Sequence, residues 1–229
     1  MNKISLGTTY FNNPDYLLKF IEKNITHVDE MIIVDDGSEM EAINHITFHE
    51  KIKLYRVKKD YGFNSHGCRN LIMKKAKHDF VVLMDIDREF LNPQFAFQTF
   101  KEKKLRYDTL YRFVAHSEYT VFDRVHISVN DYLISKKHFF SAGGYDEEII
   151  GERWGDREFF LQLKNFGREE IIHEVDLKLT RRPSLHLKGN EKSKLDKYTS
   201  VRGTKIVERR IKNPEPNKPI LTFEWERLF

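Results

Sequence analysis

Short apolar runs alternate with helix-forming stretches through the first hundred residues, and this alternation constrains the fold more than any other feature. Residues 4–8 (ISLGT) read as a strand, and residues 15–23 follow as a helix, with Tyr16, Leu17, Phe20 and Ile21 at helical spacing after Pro14. Met31, Ile32, Ile33 and Val34 form a continuous apolar run, the pattern of a strand buried on both faces, that ends in Asp35, Asp36, Gly37 and Ser38; a less regular helix is expected after it. Residues 53–57 make a third strand, residues 68–77 a helix, and residues 80–84 (FVVLM) the most apolar strand of the chain. Strands and helices alternating at this spacing build a parallel sheet with helices on both faces, and ligands of such sheets bind beyond the carboxyl ends of the strands. Asp35/Asp36 and Asp85/Asp87 therefore fall on one rim. Past Pro93 the pattern loosens into a helix to about Lys103, strands at residues 109–114 and 129–135, and a helix over residues 156–165.

Length and composition narrow the class. The 229 residues, 40% hydrophobic and 32% charged, suit one compact domain, or one domain with a tail. Eleven Gly and six Pro are too few for a collagen-like or low-complexity chain. The longest apolar runs fall far short of the roughly 20 residues a spanning helix needs, and MNKISLGTTY has no signal-peptide pattern. Cys68 is the single cysteine, so no internal disulfide forms, which fits a reducing compartment and a cytoplasmic location, with any membrane contact peripheral. Usage rich in Lys, Asn, Ile and Phe fits an AT-rich viral or bacterial genome. The net charge of +4 is modest, but it is unevenly spread: residues 178–212 carry twelve Lys or Arg against Glu191, Asp196 and Glu208. Pro214, Pro216 and Pro219 then break regular structure before an apolar end, ILTFEWERLF, expected to pack back onto the domain.

Three constellations carry chemistry. MDIDREF sets Asp85 and Asp87 on either side of Ile86 directly after a buried strand. On extended chain the side-chain period is two, so both carboxylates point one way and can share a hard divalent cation, while Ile86 points into the core. Mg²⁺ or Mn²⁺ there would bridge the phosphates of a nucleotide and neutralise a departing diphosphate; the alternative is two solvated carboxylates where a strand enters a loop. IIVDDGS brings acceptor groups to the rim, either for a base N–H or ribose hydroxyl or for a side-chain bond within its own turn. In SAGGYDEEIIGERWGDREFFLQL, Gly143 and Gly144 permit a backbone conformation or a close ligand approach that side chains forbid. Asp156 and Glu158 start an amphipathic helix, where a carboxylate is a cap or a functional group, and Trp154 is either the floor of a sugar site or packing.

The order TTYFNNPDYL, IIVDDGS, GFNSHGCRN, LMDID, GGYDE and WGDREFFLQL resembles the nucleotide-diphosphosugar transferases of the GT-A fold. Among these it is most similar to the large inverting family 2, with features of the galactosyltransferase-like family 7 in GGYDE and the later His. The resemblance covers about residues 3–188. It implies an α/β GT-A domain with a mostly parallel central sheet over residues 1–190, and a basic extension over residues 191–229 that packs on the domain or acts as a lid. It further implies transfer of a sugar from a nucleotide-diphosphate donor, a UDP-sugar, to an acceptor hydroxyl, with inversion and with Mn²⁺ or Mg²⁺.

By position, Thr8 and Tyr10 match the first-strand contacts to the base, Asp35 the acid that reads uracil or ribose with Asp36 beside it, and Arg69 an Arg that contacts the nucleotide. Asp85 and Asp87 match the metal motif, and His186 of PSLHLKGN the His that completes it. Asp156 matches the catalytic base of a Glu-Asp-x-Glu-Leu pattern and Glu158 its second acid, with Gly155 where that pattern carries Glu. Gly144, Trp154 and Asp156 fall at the donor and acceptor sugars. The acceptor would be a glycan or lipid-linked sugar, or else a protein or nucleic acid.

Two other functions stay open. A sugar-nucleotidyltransferase shares the sheet and the metal carboxylates but carries a Gly-rich basic loop after the first strand, where this chain reads TTYFNNPDY. An inactive relative would serve as a sugar- or polyanion-binding module. His45 and His49 have helical i, i+4 spacing but no third ligand, which reads as a solvated face, and Cys68 beside His66 lacks a triad partner and reads as packing. The basic stretch 178–212 reads as a solvated surface, a lid over the diphosphate or a surface for an anionic acceptor.

Overall fold

The computed structural model describes residues 1–39, 44–117, 124–151, 155–179, 203–213 and 219–229. Trp154, His186 and residues 40–43, in the stretch after Ser38 where a helix is expected, lie outside the described residues.

Strand β1 (Ile4–Tyr10), helix α1 (Pro14–Asn24), β2 (Glu30–Asp35), β3 (Ile52–Val57), α2 (Ser65–Lys75) and β4 (Phe80–Leu83) follow one another. They supply four parallel strands in the order β3-β2-β1-β4, with Thr8 opposite Ile33 and Gly7 opposite Leu83. The second half adds β5 (Arg88–Phe90), α3 (Pro93–Glu102), β6 (Thr109–Ser117), β7 (Arg124–Ser135), α4 (Lys136–Ser141), a 3₁₀ turn (Glu147–Ile149), α5 (Gly155–Leu163) and β8 (Arg168–Leu179). A further helix, α6, occupies residues 203–212, and β9 (Trp225–Arg227) ends the order. Among the described residues nine strands make one mixed sheet, β5-β8-β6-β7-β4-β1-β2-β3-β9, in which the parallel core is extended by antiparallel β7 on one side and antiparallel β9 on the other.

The period-two rule explains why the parallel strands read as continuous apolar runs. Met31 and Ile33 join one core layer with Phe80 and Val82, under α1 (Leu17, Phe20) and α3 (Phe97, Phe100). Ile32 and Val34 join the opposite layer with Val81 and Leu83, against α2 (Leu71, Ile72) and Phe159 of α5. Both faces of these strands are covered, so their middles are apolar, and the buried Glu30 at the start of β2 is paired with Ser5 and Lys53. In the first layer Phe90, Phe97, Phe100 and Phe113 pack edge to face or stacked, with centroids 5.3–5.8 Å apart.

The second half departs from expectation in β5, β8, α4 and α6, none of which periodicity announces. The segment REEIIHEVDLKL is half charged because β8 is covered on one face only, and it slips register against β6 between Phe113 and Val114. The C-terminal segment packs on the domain. Phe223 is buried in the second core layer, and β9 pairs with β3 through Val57 and Trp225. In α6, Ile206 and Val207 pack on Ile149.

Candidate active site

The carboxyl ends of β1, β2 and β4 define the rim. At its β2 end the Asp36 amide donates to the Tyr10 carbonyl (2.8 Å), which holds the turn after β2 against β1. Asp35 is fully buried; its Oδ1 accepts from the Ser38 amide (3.0 Å), the bond within the turn that the sequence left as one alternative, and Arg56 lies 3.6 Å away. Burial pushes its carboxyl upward. Asp36 accepts the Asn64 amide through Oδ2 (2.7 Å), and burial lifts its pKa to about 7. Thr8 and Tyr10 are buried beside them, and burial followed by the charge of Asp35 raises the Tyr10 phenol to about 12. Burial also lifts the Cys68 thiol, which fits its packing role.

At the β4 end the structure corrects the expected geometry. The strand stops at Leu83, and Asp85, Ile86 and Asp87 lie in a turn closed by the Arg88 amide donating to the Asp85 carbonyl (3.0 Å), not on extended chain. Ile86 is still buried in the core. The turn is held from β7: the Asp85 amide donates to Asp131 Oδ1 (2.9 Å) and Asn130 donates to Asp85 Oδ2 (3.2 Å). Asp131 is fully buried, and burial together with neighbouring Asp85 raises it to about 7 against the opposing charge of Arg88. Two hard carboxylates in one turn suit Mg²⁺ or Mn²⁺, which takes one or two protein carboxylates and completes its shell with phosphates and water. No cluster of three or more His, Cys, Asp or Glu side chains that could hold a metal occurs among the described residues.

Arg69 joins this turn to the other acids. Its fork donates through Nη2 to Asp85 Oδ1 (2.8 Å) and through Nη1 to Asp156 Oδ1 (3.1 Å) and to the Tyr145 hydroxyl (2.9 Å). The side chain is only 4% exposed. Burial opposes its charge, but Tyr145, Asp85 and Asp156 outweigh that and hold the guanidinium ionised. The Tyr145 hydroxyl donates to Asp156 Oδ1 (2.9 Å) and lies 2.8 Å from that of Tyr132. Asp156 lies in the first turn of α5 with its side chain 23% exposed, whereas Glu158, two residues further along, is 1% exposed.

Gly144 has a φ of +69°, and a Cβ there would meet Asn70 Oδ1 at 2.7 Å and Phe139 at 3.0 Å. It shapes the turn that delivers Tyr145. A Cβ on Gly155 would meet the His66 ring at 2.4 Å. His66 thus fills the space beside the position where the resembling pattern carries Glu. The imidazole is buried among Phe63, Tyr145 and Gly155, has no hydrogen-bond partner on either nitrogen among the described residues, and burial lowers its pKa to about 4. Sequence reasoning had placed His66 only beside Cys68, and it missed Tyr132, Asn130 and Asp131; a Tyr or Asp spaced for β7 carries no local signal of what it faces. A cavity of about 280 Å³ lies at the opposite end of β1 and β4, between Lys3, Lys77, His78 and Tyr107, and contains none of these residues.

A sheet with a parallel core, antiparallel flanks and acids gathered at one rim is the architecture of the GT-A glycosyltransferases. The chain belongs to Glycosyl transferase family 2, which it matches over residues 5–182. It is 36% identical over 90 residues to the hyaluronan synthase of Pasteurella multocida, a match covering 37% of this chain and 9% of that protein's length. Its fold is similar to GalNAc-T7, solved with UDP, GalNAc and Mn²⁺ (TM-score 0.65, 12% identity, 92% of this chain and 50% of that one). It is also similar to the mannosyltransferase PcManGT of Pyrobaculum calidifontis, solved with GDP-Man and Mn²⁺ (TM-score 0.63, 14% identity, 96% and 68%). At these identities the structural likeness shows the fold alone.

Proposed function

We propose that this glycosyltransferase moves a sugar from a UDP-sugar to an acceptor hydroxyl with inversion, dependent on Mn²⁺ or Mg²⁺, with Asp156 as base. The observation that carries the reading is Arg69, whose single buried guanidinium touches an acid of the metal motif and an acid on a separate element. An acceptor hydroxyl is too weak an acid to attack unaided, so a carboxylate facing it takes its proton as the anomeric carbon is attacked. Partial exposure of Asp156 and full burial of Glu158 favour Asp156 for that contact. A bound divalent cation supplies charge neutralisation for the leaving diphosphate.

Asp85 and Asp87 would hold that cation with His186. Thr8, Tyr10, Asp35 and Asp36 would receive the base and ribose, and Arg69 would contact the nucleotide. Gly144, Trp154 and Asp156 would flank the sugars. The UDP and the manganese of GalNAc-T7, and the manganese of PcManGT, support the donor class and the metal. The hyaluronan synthase supports a glycan as acceptor. In this reading residues 1–190 form the catalytic domain, residues 191–229 the extension on it, and the enzyme works in the cytoplasm, visiting any membrane-bound acceptor from solution.

Incubation with a panel of nucleotide sugars and Mn²⁺ tests the reading. The expected result is donor turnover abolished by Asp87→Ala, and transfer abolished by Asp156→Asn. Binding without turnover across the panel would make the chain a sugar-binding module. Near-normal transfer by Asp156→Asn with a dead Glu158→Gln would move the base to Glu158.

A further inference from the structure

The hydroxyl of Tyr145 is fully buried, 76 residues along the chain from Arg69, and three other side chains converge on it. Its protons can be assigned by counting. Arg69 Nη1 has only hydrogens to give, so the Tyr145 oxygen accepts from it (2.9 Å). Asp156 Oδ1 lies 2.9 Å away, so the one phenolic proton goes there. The remaining lone pair of Tyr145 then accepts from the Tyr132 hydroxyl at 2.8 Å. Every donor and acceptor of Tyr145 is used, and the ring is clamped as well, stacked on Phe159 with centroids 4.3 Å apart.

The consequence falls on Asp156. Its Oδ1 takes two hydrogen bonds, from Arg69 and from Tyr145. Its Oδ2 makes none among the described residues, and the side chain is partly exposed. Two donors on one oxygen fix the carboxylate plane and leave the other oxygen as the only one open to a substrate proton.

We propose that Tyr145 is a positioning residue that locks Oδ1 of Asp156 and thereby presents Oδ2 to the acceptor hydroxyl, with Tyr132 orienting the Tyr145 hydroxyl from behind. This rests on the reading of Asp156 as base. Tyr145 is fully buried and acts through the carboxylate, and with Arg69 alone on Oδ1 the carboxylate plane would turn away from the line of proton transfer.

Tyr145→Phe deletes the hydroxyl and keeps the stacked ring, and Tyr132→Phe removes only the bond behind it. With the donor sugar found active in the panel above, Tyr145→Phe should lower kcat for transfer by about 10- to 100-fold at unchanged donor KM. Tyr132→Phe should lower it no more than a few-fold, since the bond to Asp156 survives. Unchanged kcat in Tyr145→Phe, an effect confined to donor KM, or a Tyr132→Phe variant as impaired as Tyr145→Phe would each overturn the proposal. A Tyr145→Phe chain that no longer folds would assign the hydroxyl a structural role and overturn it too. An inactive wild type would instead sink the transferase reading beneath it, whereas an active wild type with an unaffected Tyr145→Phe sinks this proposal alone.

Discussion

Arg69 shows how much can depend on one side chain. It is buried with carboxylates on both prongs of its fork, and taking the charge away would leave Asp85 and Asp156 facing each other uncompensated. Loss of one partner from a buried ion pair costs about 3–5 kcal/mol. Arg69→Met should therefore lower the melting temperature by roughly 6–20 °C for a chain of this size, as read by calorimetry. Asp36 makes a prediction of the opposite sign. Its pKa in the fold, about 7, lies above its ordinary 3.8, so the folded state holds a proton that the unfolded state has already released. Stability from this group is present below pH 4 and is lost as pH rises toward 7. Asp36→Asn keeps an oxygen for the Asn64 amide and removes the titration. Its melting temperature minus that of wild type should therefore rise between pH 5 and pH 8; a signed difference that stays constant or falls would contradict the assignment.

At the scale of elements, the sheet was legible where burial is two-sided and illegible where it is not. The apolar runs at residues 31–34 and 80–84 read as buried strands by their length and β-branched content, and they fixed where the acidic rim would lie. Strand β8 hid behind Arg168, Glu169, Glu170 and Glu174, because a strand covered on one face reads as charged chain. The network of Arg69 was hidden for another reason. Its partners lie 16, 76 and 87 residues away, and no periodicity reports contacts made across a sheet. The motif at Asp85 was located correctly on the rim, yet its turn conformation depends on Asn130 and Asp131 of β7, which the motif itself does not contain.

The phenylalanine layer under α3 yields a direct test at this scale. Phe100 is fully buried among Phe90, Phe97 and Phe113, so Phe100→Ala should cost about 3–5 kcal/mol in denaturant unfolding. A second test is the buried pair of Arg210 in α6 and Asp146 in the turn before the 3₁₀ segment (2.6 Å). Arg210→Ala should destabilise by a similar amount.

Across the whole molecule, the GGYDE turn is where α2, α5 and the C-terminal segment meet. Tyr145 faces Arg69 and Asp156, Asp146 holds Arg210, and Glu147 accepts from the Asn70 side chain and from the Leu221 and Thr222 amides. The C-terminal segment is therefore part of the support for the site. No helix among the described residues is long and apolar enough to cross a membrane. At this scale the metal reading is tested by chelation: activity should fall to background with EDTA and return with Mn²⁺.

The pairing of β9 with β3 also has a consequence in time. Val57 leaves the ribosome about 170 residues before Trp225, an interval of roughly 10–30 s at ordinary rates of synthesis. Throughout it the backbone of β3 is an uncovered edge able to recruit strands from other nascent chains. Yield in the cell should thus depend on translation speed and chaperone supply more steeply than the equilibrium stability of the finished sheet would suggest.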